Sequence, residues 1–193
     1  MNQLRDIFPD APASKRRFTV DEFERMGMAG ILGPDERVEL IAGEILVMSP
    51  AGRFHEVLRT ELCLIWFPRS VGRGFKIASE MPLRLSAQFE PVADIAVYPA
   101  ALLSPDARGG DVLMVVEIAD SSLKMDTGLK AAAYAAGGVR EYWVINARTR
   151  ETLVHREPAA AGYGAVTTVA AGETVMPLLM PELEIRLSDL PAA

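Results

Sequence analysis

Two apolar runs constrain this chain more than any other feature: "VADIAVYP" at 92–99 and "DVLMVVEIA" at 111–119. Both are apolar at consecutive rather than alternate positions, the pattern of strands covered on both faces of a sheet. Each nevertheless carries one acid. Asp94 sits inside the first run, and Glu117 stands at the end of the second. A sheet covered on both faces needs helices on both sides, and the sequence supplies them. "TVDEFERMG" opens with a capping box, Thr19 and Glu22, and predicts a helix that ends near Gly27 or Gly30. "RVELIAGEILVMSP" predicts a hairpin turning at Ala42-Gly43. "RFHEVLRTELCLIWF" has apolar residues at 54, 57, 58, 62, 65 and 66, one face of a helix, with Pro68 as its stop. Strands are expected at 74–79 and 81–86, and a helix at 123–136 closed by Gly137-Gly138. "REYWVINARTRETLVHRE" reads as strand, turn, strand, and "YGAVTTVAAGETV" repeats that pattern. "PELEIRLSDLPAA" reads as a short strand and a closing turn. The expected fold is α/β: a central mixed β-sheet flanked by helices, with an N-terminal helix and a β-hairpin. It forms one domain over 18–193, after a flexible leader at 1–17.

The two acids pose an energetic problem. An ionised carboxylate in apolar surroundings costs several kcal/mol unless a cation or hydrogen bonds compensate it. Two on neighbouring strands repel each other as well. One solution leaves each acid at a strand end, exposed or paired with an arginine. The other places a divalent cation between them, and Mg²⁺ suits this because it takes oxygen ligands, few carboxylates, water and substrate phosphate. Lys130 follows on the helix, four residues after Asp126 and four before Tyr134, so the three share a face. It reads either as half of a surface pair with Asp126 or as an ammonium reaching over the sheet toward a metal. Lys124, just after "ADSS", is a weaker candidate for that role.

The remaining signals are mostly exclusions. The two histidines, His55 and His155, and the single Cys63 have no zinc-ligand spacing. Ser121 and Ser122 have no nearby histidine for a serine triad. A lone cysteine excludes an internal disulfide framework and fits a reducing, cytoplasmic setting. No stretch reaches membrane-spanning length without a charge, and the leader lacks the apolar centre of a signal peptide. The net charge of −6 argues against tight, sequence-independent binding of nucleic acid, while leaving room for a local basic groove. Trp143 reads as a sheet-packing residue rather than a base-stacking one.

"RVELIAGEILVMSPAGRFHE", "ADIAVYP" and "VVEIADSSLKMDTGLKAAAYAAGGVREYWVIN", followed by "HREP" and "GY", resemble the Uma-type restriction endonuclease family of the PD-(D/E)XK nuclease superfamily. The resemblance spans about 18–190, and its most specific stretch runs from Glu117 through Trp143. It implies a restriction-endonuclease-like core and a nuclease acting on nucleic acid, chiefly DNA, with Mg²⁺ or Mn²⁺. It also implies roles. Asp94 and Glu117, with the carbonyl of Ile118, hold the metal, and Lys130 is the catalytic lysine moved from strand to helix. Glu39 of the "ELI" strand is a further ligand or water-holder, and His55 is a catalytic or site-bracing histidine. Asp126 starts the helix or positions the lysine. Two positions depart from the pattern: Ala93 stands where the motif has proline, and Ala119 where the superfamily has its strand lysine. The rival expectation is the same fold used as a non-catalytic assembly or regulatory module, which the acidic charge favours. A homodimer is also expected, through the hairpin edge at 37–48 or the C-terminal strands.

Overall fold

The computed structural model describes residues 15–104 and 107–192. The expected leader at 1–17 therefore lies outside the described residues as far as residue 14. Its last three residues pack on the hairpin and first helix: Lys15 and Arg17 pair with Glu44, and Arg16 pairs with Glu22.

Helix α1 (Val20–Met28) begins where the capping box puts it. Thr19 Oγ1 accepts from the Glu22 amide at 3.3 Å, and Glu22 Oε2 accepts from the Thr19 amide at 3.0 Å. Strands β1 (Val38–Ile41) and β2 (Glu44–Val47) form the expected hairpin as a separate two-stranded sheet. Both turn residues take positive φ, 51° at Ala42 and 75° at Gly43, as a tight hairpin turn demands. Helix α2 (Arg53–Ser70) runs past Pro68, which sits in its last turn instead of ending it. That close to the end, a proline removes only one of the intrahelical bonds.

The central sheet has six strands in the order β3-β4-β5-β6-β7-β8: β3 (Phe75–Pro82), β4 (Val92–Pro99), β5 (Met114–Ala119), β6 (Glu141–Asn146), β7 (Thr152–Ala159) and β8 (Gly162–Val169). All neighbours are antiparallel except β5 and β6. A parallel pair cannot be joined by a hairpin, so a helical crossover must link these two strands. That crossover is α3 (Leu123–Met125), a π-helical turn (Asp126–Lys130) and α4 (Ala131–Ala136). It covers the expected 123–136 helix, with a π-turn that the periodicity did not reveal.

Two further expectations are corrected. The segments 74–79 and 81–86 are one strand, β3, which carries an irregularity at Glu80 (φ 52°) and gives way to isolated bridges at Arg84 and Ser86. The segment after β8 does not fold back on it. Strand β9 (Thr174–Val175) pairs instead with β10 (Ile185–Arg186) as a small separate sheet.

Two buried clusters hold the layers together. In one, Leu58, Leu62 and Trp66 of α2 pack with Val116, Ile118, Trp143 and the C-terminal Leu183 and Leu187. In the other, Tyr134 packs with Leu83, Val115, Tyr142 and Val144. Each fully buried leucine contributes about 1.5–3 kcal/mol. Trp143 lies wholly inside, edge-on to Trp66 at 6.1 Å, as its strand pattern indicated. Among the described residues no helix is long and apolar enough to cross a membrane.

Candidate active site

The site lies where the sheet comes apart. The β4–β5 ladder pairs Val97 with Met114, Ala96 with Val115 and Ile95 with Val116, and there it stops. The next pair in that register is Asp94 opposite Glu117, two like charges whose direct apposition is unfavourable. Asp94 Oδ2 instead accepts the amide of Ile118 at 2.7 Å, so a side chain stands in for a backbone acceptor. The ladder to β3 also skips Asp94: it pairs Ser79 with Ile95 and Met81 with Ala93, and Ser79 Oγ donates to the Asp94 carbonyl at 3.2 Å. Strand β4 is thus interrupted at its acid on both sides. A cleft of about 350 Å³ lies beside this end of the ladder.

Three other elements feed this cleft, the crossover contributing twice. The crossover helix brings Lys130 over the end of β5, with Nζ 3.3 Å from Glu117 Oε1. The hairpin brings Glu39, whose Oε2 lies 3.1 Å from the same Nζ and accepts from the Val92 amide at 3.2 Å. The first turn of α2 brings His55, with Nε2 3.0 Å from Asp94 Oδ1. The start of the π-turn brings Asp126, which Ser122 Oγ hydrogen-bonds. Asp94, Glu117, Ile118, Lys130, Glu39, His55 and Asp126 therefore all line one cleft. His155 does not belong to it. Its ring is buried between Tyr142 and Tyr163. Lys124 is exposed and is not among the lining residues.

The electrostatics follow from burial. Glu117 is only 3% exposed. Desolvation pushes its carboxyl well above the usual range, with Asp94 and Asp126 adding to the rise and Lys130 opposing it. Burial likewise raises Asp126, against the Ser122 hydrogen bond and Lys130. For Lys130 burial works against the charged form, but Glu117, Glu39 and Asp126 outweigh it, so the ammonium is held above its ordinary value. For His55 burial likewise disfavours the cation, and the hydrogen bond and charge of Asp94 reverse that into a net rise. Lys130 and Asp126 are thus both buried, not a surface pair.

The mouth of the cleft is shaped by a close approach. Gly52 caps the start of α2, and a Cβ there would lie 2.2 Å from Asp120 Oδ2. Asp120 Oδ1 in turn takes the Arg148 Nε hydrogen bond at 2.7 Å, and that guanidinium lies over the Phe54 ring at 4.7 Å. Among the described residues, no three His, Cys, Asp or Glu side chains gather into a group able to hold a metal by themselves.

The family model described as "Uma2: Putative restriction endonuclease" matches residues 20–188. The chain belongs to the Uma2 family. The fold of this Uma2-family chain recurs in a solved structure from Anabaena variabilis, described as "a putative nuclease belonging to DUF820". The two share 17% identity at a TM-score of 0.70, over 89% of this chain and 96% of the other. Among curated proteins none matches. The family match supports a nuclease-like function.

Sequence reasoning gave no site role to Tyr134 or Ser122. Tyr134 is fully buried, and its hydroxyl donates to Glu117 Oε1 at 2.7 Å. Its helical spacing from Lys130 was the one signal that placed it on the site face. Ser122 stands just before α3, and its hydroxyl donates to the Asp126 carboxylate four residues on.

Proposed function

We propose that this chain is a divalent-cation-dependent nuclease that hydrolyses phosphodiester bonds in DNA. The observation that carries the reading is the fray of β4 and β5 between two facing acids, with a buried ammonium on the second. A fold seeking stability alone has no reason to place Asp94 and Glu117 opposite each other in core strands.

The donor set fits Mg²⁺ or Mn²⁺. Asp94, Glu117 and the Ile118 carbonyl are hard oxygen donors lining one cleft. Glu117 Oε2 takes no hydrogen bond from any described residue, although Oε1 takes two. Asp94 and Glu117 would hold the ion with the Ile118 carbonyl, and water and a phosphate oxygen would complete the shell, the usual manner of Mg²⁺. When bound, the metal supplies Lewis-acid polarisation of the phosphate and a more acidic water. Asp94 is braced for this by His55 and the Ile118 amide. Lys130, charged at neutral pH, orients the attacking water and offsets the charge that grows on the phosphate oxygens. Glu39 is the second carboxylate on Lys130, 3.1 Å from Nζ. Water adds to phosphorus, the bond to the 3′-oxygen breaks, and the products carry a 5′-phosphate and a 3′-hydroxyl.

Supercoiled plasmid and single-stranded DNA incubated with Mn²⁺ test this reading. The wild type cleaves and Glu117→Ala does not; equal behaviour of the two refutes the proposal. Calorimetry separates it from a non-catalytic module of the same fold. A nuclease core binds Mn²⁺ and loses that binding in Asp94→Asn, whereas a module gives no heat.

A further inference from the structure

Glu117 Oε1 is fully engaged. It accepts from Tyr134 Oη at 2.7 Å and from Lys130 Nζ at 3.3 Å. A carboxylate oxygen offers about two lone-pair sites, and here both are used. Tyr134 cannot leave: it has no exposed surface, and its ring lies against Tyr142 with centroids 4.7 Å apart. Its hydroxyl proton, which an ordinary phenol keeps at neutral pH, is directed at Glu117 Oε1. One oxygen of Glu117 is therefore tied into the protein, while the other takes no hydrogen bond from a described residue.

We infer that Tyr134 is a positioning residue that reserves one oxygen of Glu117 for a divalent cation and thereby favours Mg²⁺ or Mn²⁺ over Ca²⁺. The inference rests on the proposed metal site and adds a determinant of which ion that site prefers. Mg²⁺ is small, sits about 2.0–2.1 Å from each oxygen and tolerates little departure from octahedral geometry. One fixed oxygen per carboxylate suits it. Ca²⁺ takes about six to eight oxygens and often both oxygens of one carboxylate. A Glu117 whose Oε1 is already committed serves it poorly. Groups that orient a metal ligand typically matter about 10–100-fold in affinity.

The other account makes Tyr134 a core tyrosine whose hydroxyl needed an acceptor. Tyr142 provides the comparison. It too is fully buried, and its hydroxyl donates to the Asp126 carbonyl at 2.9 Å, not to Glu117. The experiment is calorimetric titration of Mn²⁺ and Ca²⁺ into wild type, Tyr134→Phe and Tyr142→Phe, with melting temperatures recorded without metal. Tyr134→Phe is expected to weaken Mn²⁺ about tenfold or more. Ca²⁺ weakens less, so the preference narrows, while Tyr142→Phe keeps the wild-type preference whatever it does to melting. A Tyr134→Phe protein with the wild-type Mn²⁺ to Ca²⁺ ratio overturns the inference. On wild type alone, saturating Mn²⁺ perturbs the near-ultraviolet tyrosine spectrum, and an unchanged spectrum overturns it as well. Failure of wild type to bind Mn²⁺ at all is a different result, and it removes the metal site itself.

Discussion

Replacing Lys130 with methionine removes the one ammonium buried between Glu39 and Glu117 while keeping most of the aliphatic stem. The side chain is 7% exposed, and its Nζ lies 3.1 Å and 3.3 Å from the two carboxylates. Removing one partner of a buried ion pair costs about 3–5 kcal/mol, because the other charge is left uncompensated. Here the lower end applies. Glu117 is already pushed upward by burial, so without Lys130 it takes up a proton more readily than it stays charged. For a chain of this size 1 kcal/mol is worth about 2–4 °C in melting temperature, so about 3 kcal/mol predicts a fall of about 6–12 °C near neutral pH. The dependence on pH has a definite sign. Without the ammonium, which holds the Glu117 carboxyl down, Glu117 binds its proton more tightly in the folded variant than in folded wild type. The variant therefore recovers stability relative to wild type as pH falls, and its deficit widens as pH rises. Melting followed by circular dichroism in a chelating buffer, at about pH 5.5 and about pH 8, reads both effects. A deficit under about 2 °C at the higher pH, or one that does not shrink at the lower, refutes the reasoning.

Two other outcomes are open to direct measurement. Gly52→Ala forces the Asp120 carboxylate aside and breaks its exposed bond to Arg148, at a cost of about 0.5–1 kcal/mol; Asp120→Ala in the same chain abolishes that cost, as a double-mutant cycle in denaturant would register. His155 is held below its ordinary value by desolvation, so the unfolded chain binds more protons and stability declines as pH drops below about 6.5, by at most about 1.4 kcal/mol per pH unit from this group; the difference in melting temperature between wild type and His155→Gln should follow that decline and level off above it.

Much of the architecture was legible because its causes are local. The capping box at Thr19, the Ala42-Gly43 turn and the two-faced apolar runs all depend on neighbours in sequence, and each appears where the pattern put it. The acids stood out for the same reason, as breaks in otherwise apolar strands. What escaped notice depends on partners distant in sequence. Glu80 interrupts β3 without splitting it, because the strand is held in a single register by β4 on both sides of that residue. The pairing of β9 with β10 bridges a segment of no strong periodicity. The fray between Asp94 and Glu117 becomes visible only once β4 and β5 are known to be neighbours and their register is counted.

The location of the lysine ties these points together. Position 119 shares the strand face of Glu117, and alanine there is almost wholly buried against the Tyr134 cluster. A lysine in its place would have to carry a charge into that packing. The crossover imposed by the parallel β5–β6 pair offers another route, since it must pass over the end of β5 in any case. The π-turn within it places Asp126 and Lys130 in the cleft together, while Ala131, Ala133 and Tyr134 continue into the core below. The same short helix thus closes the hydrophobic layer and delivers an ammonium and a phenol to one carboxylate oxygen. Those two demands compete for the same turn, which is the circumstance in which π-helical turns are commonly found at functional sites.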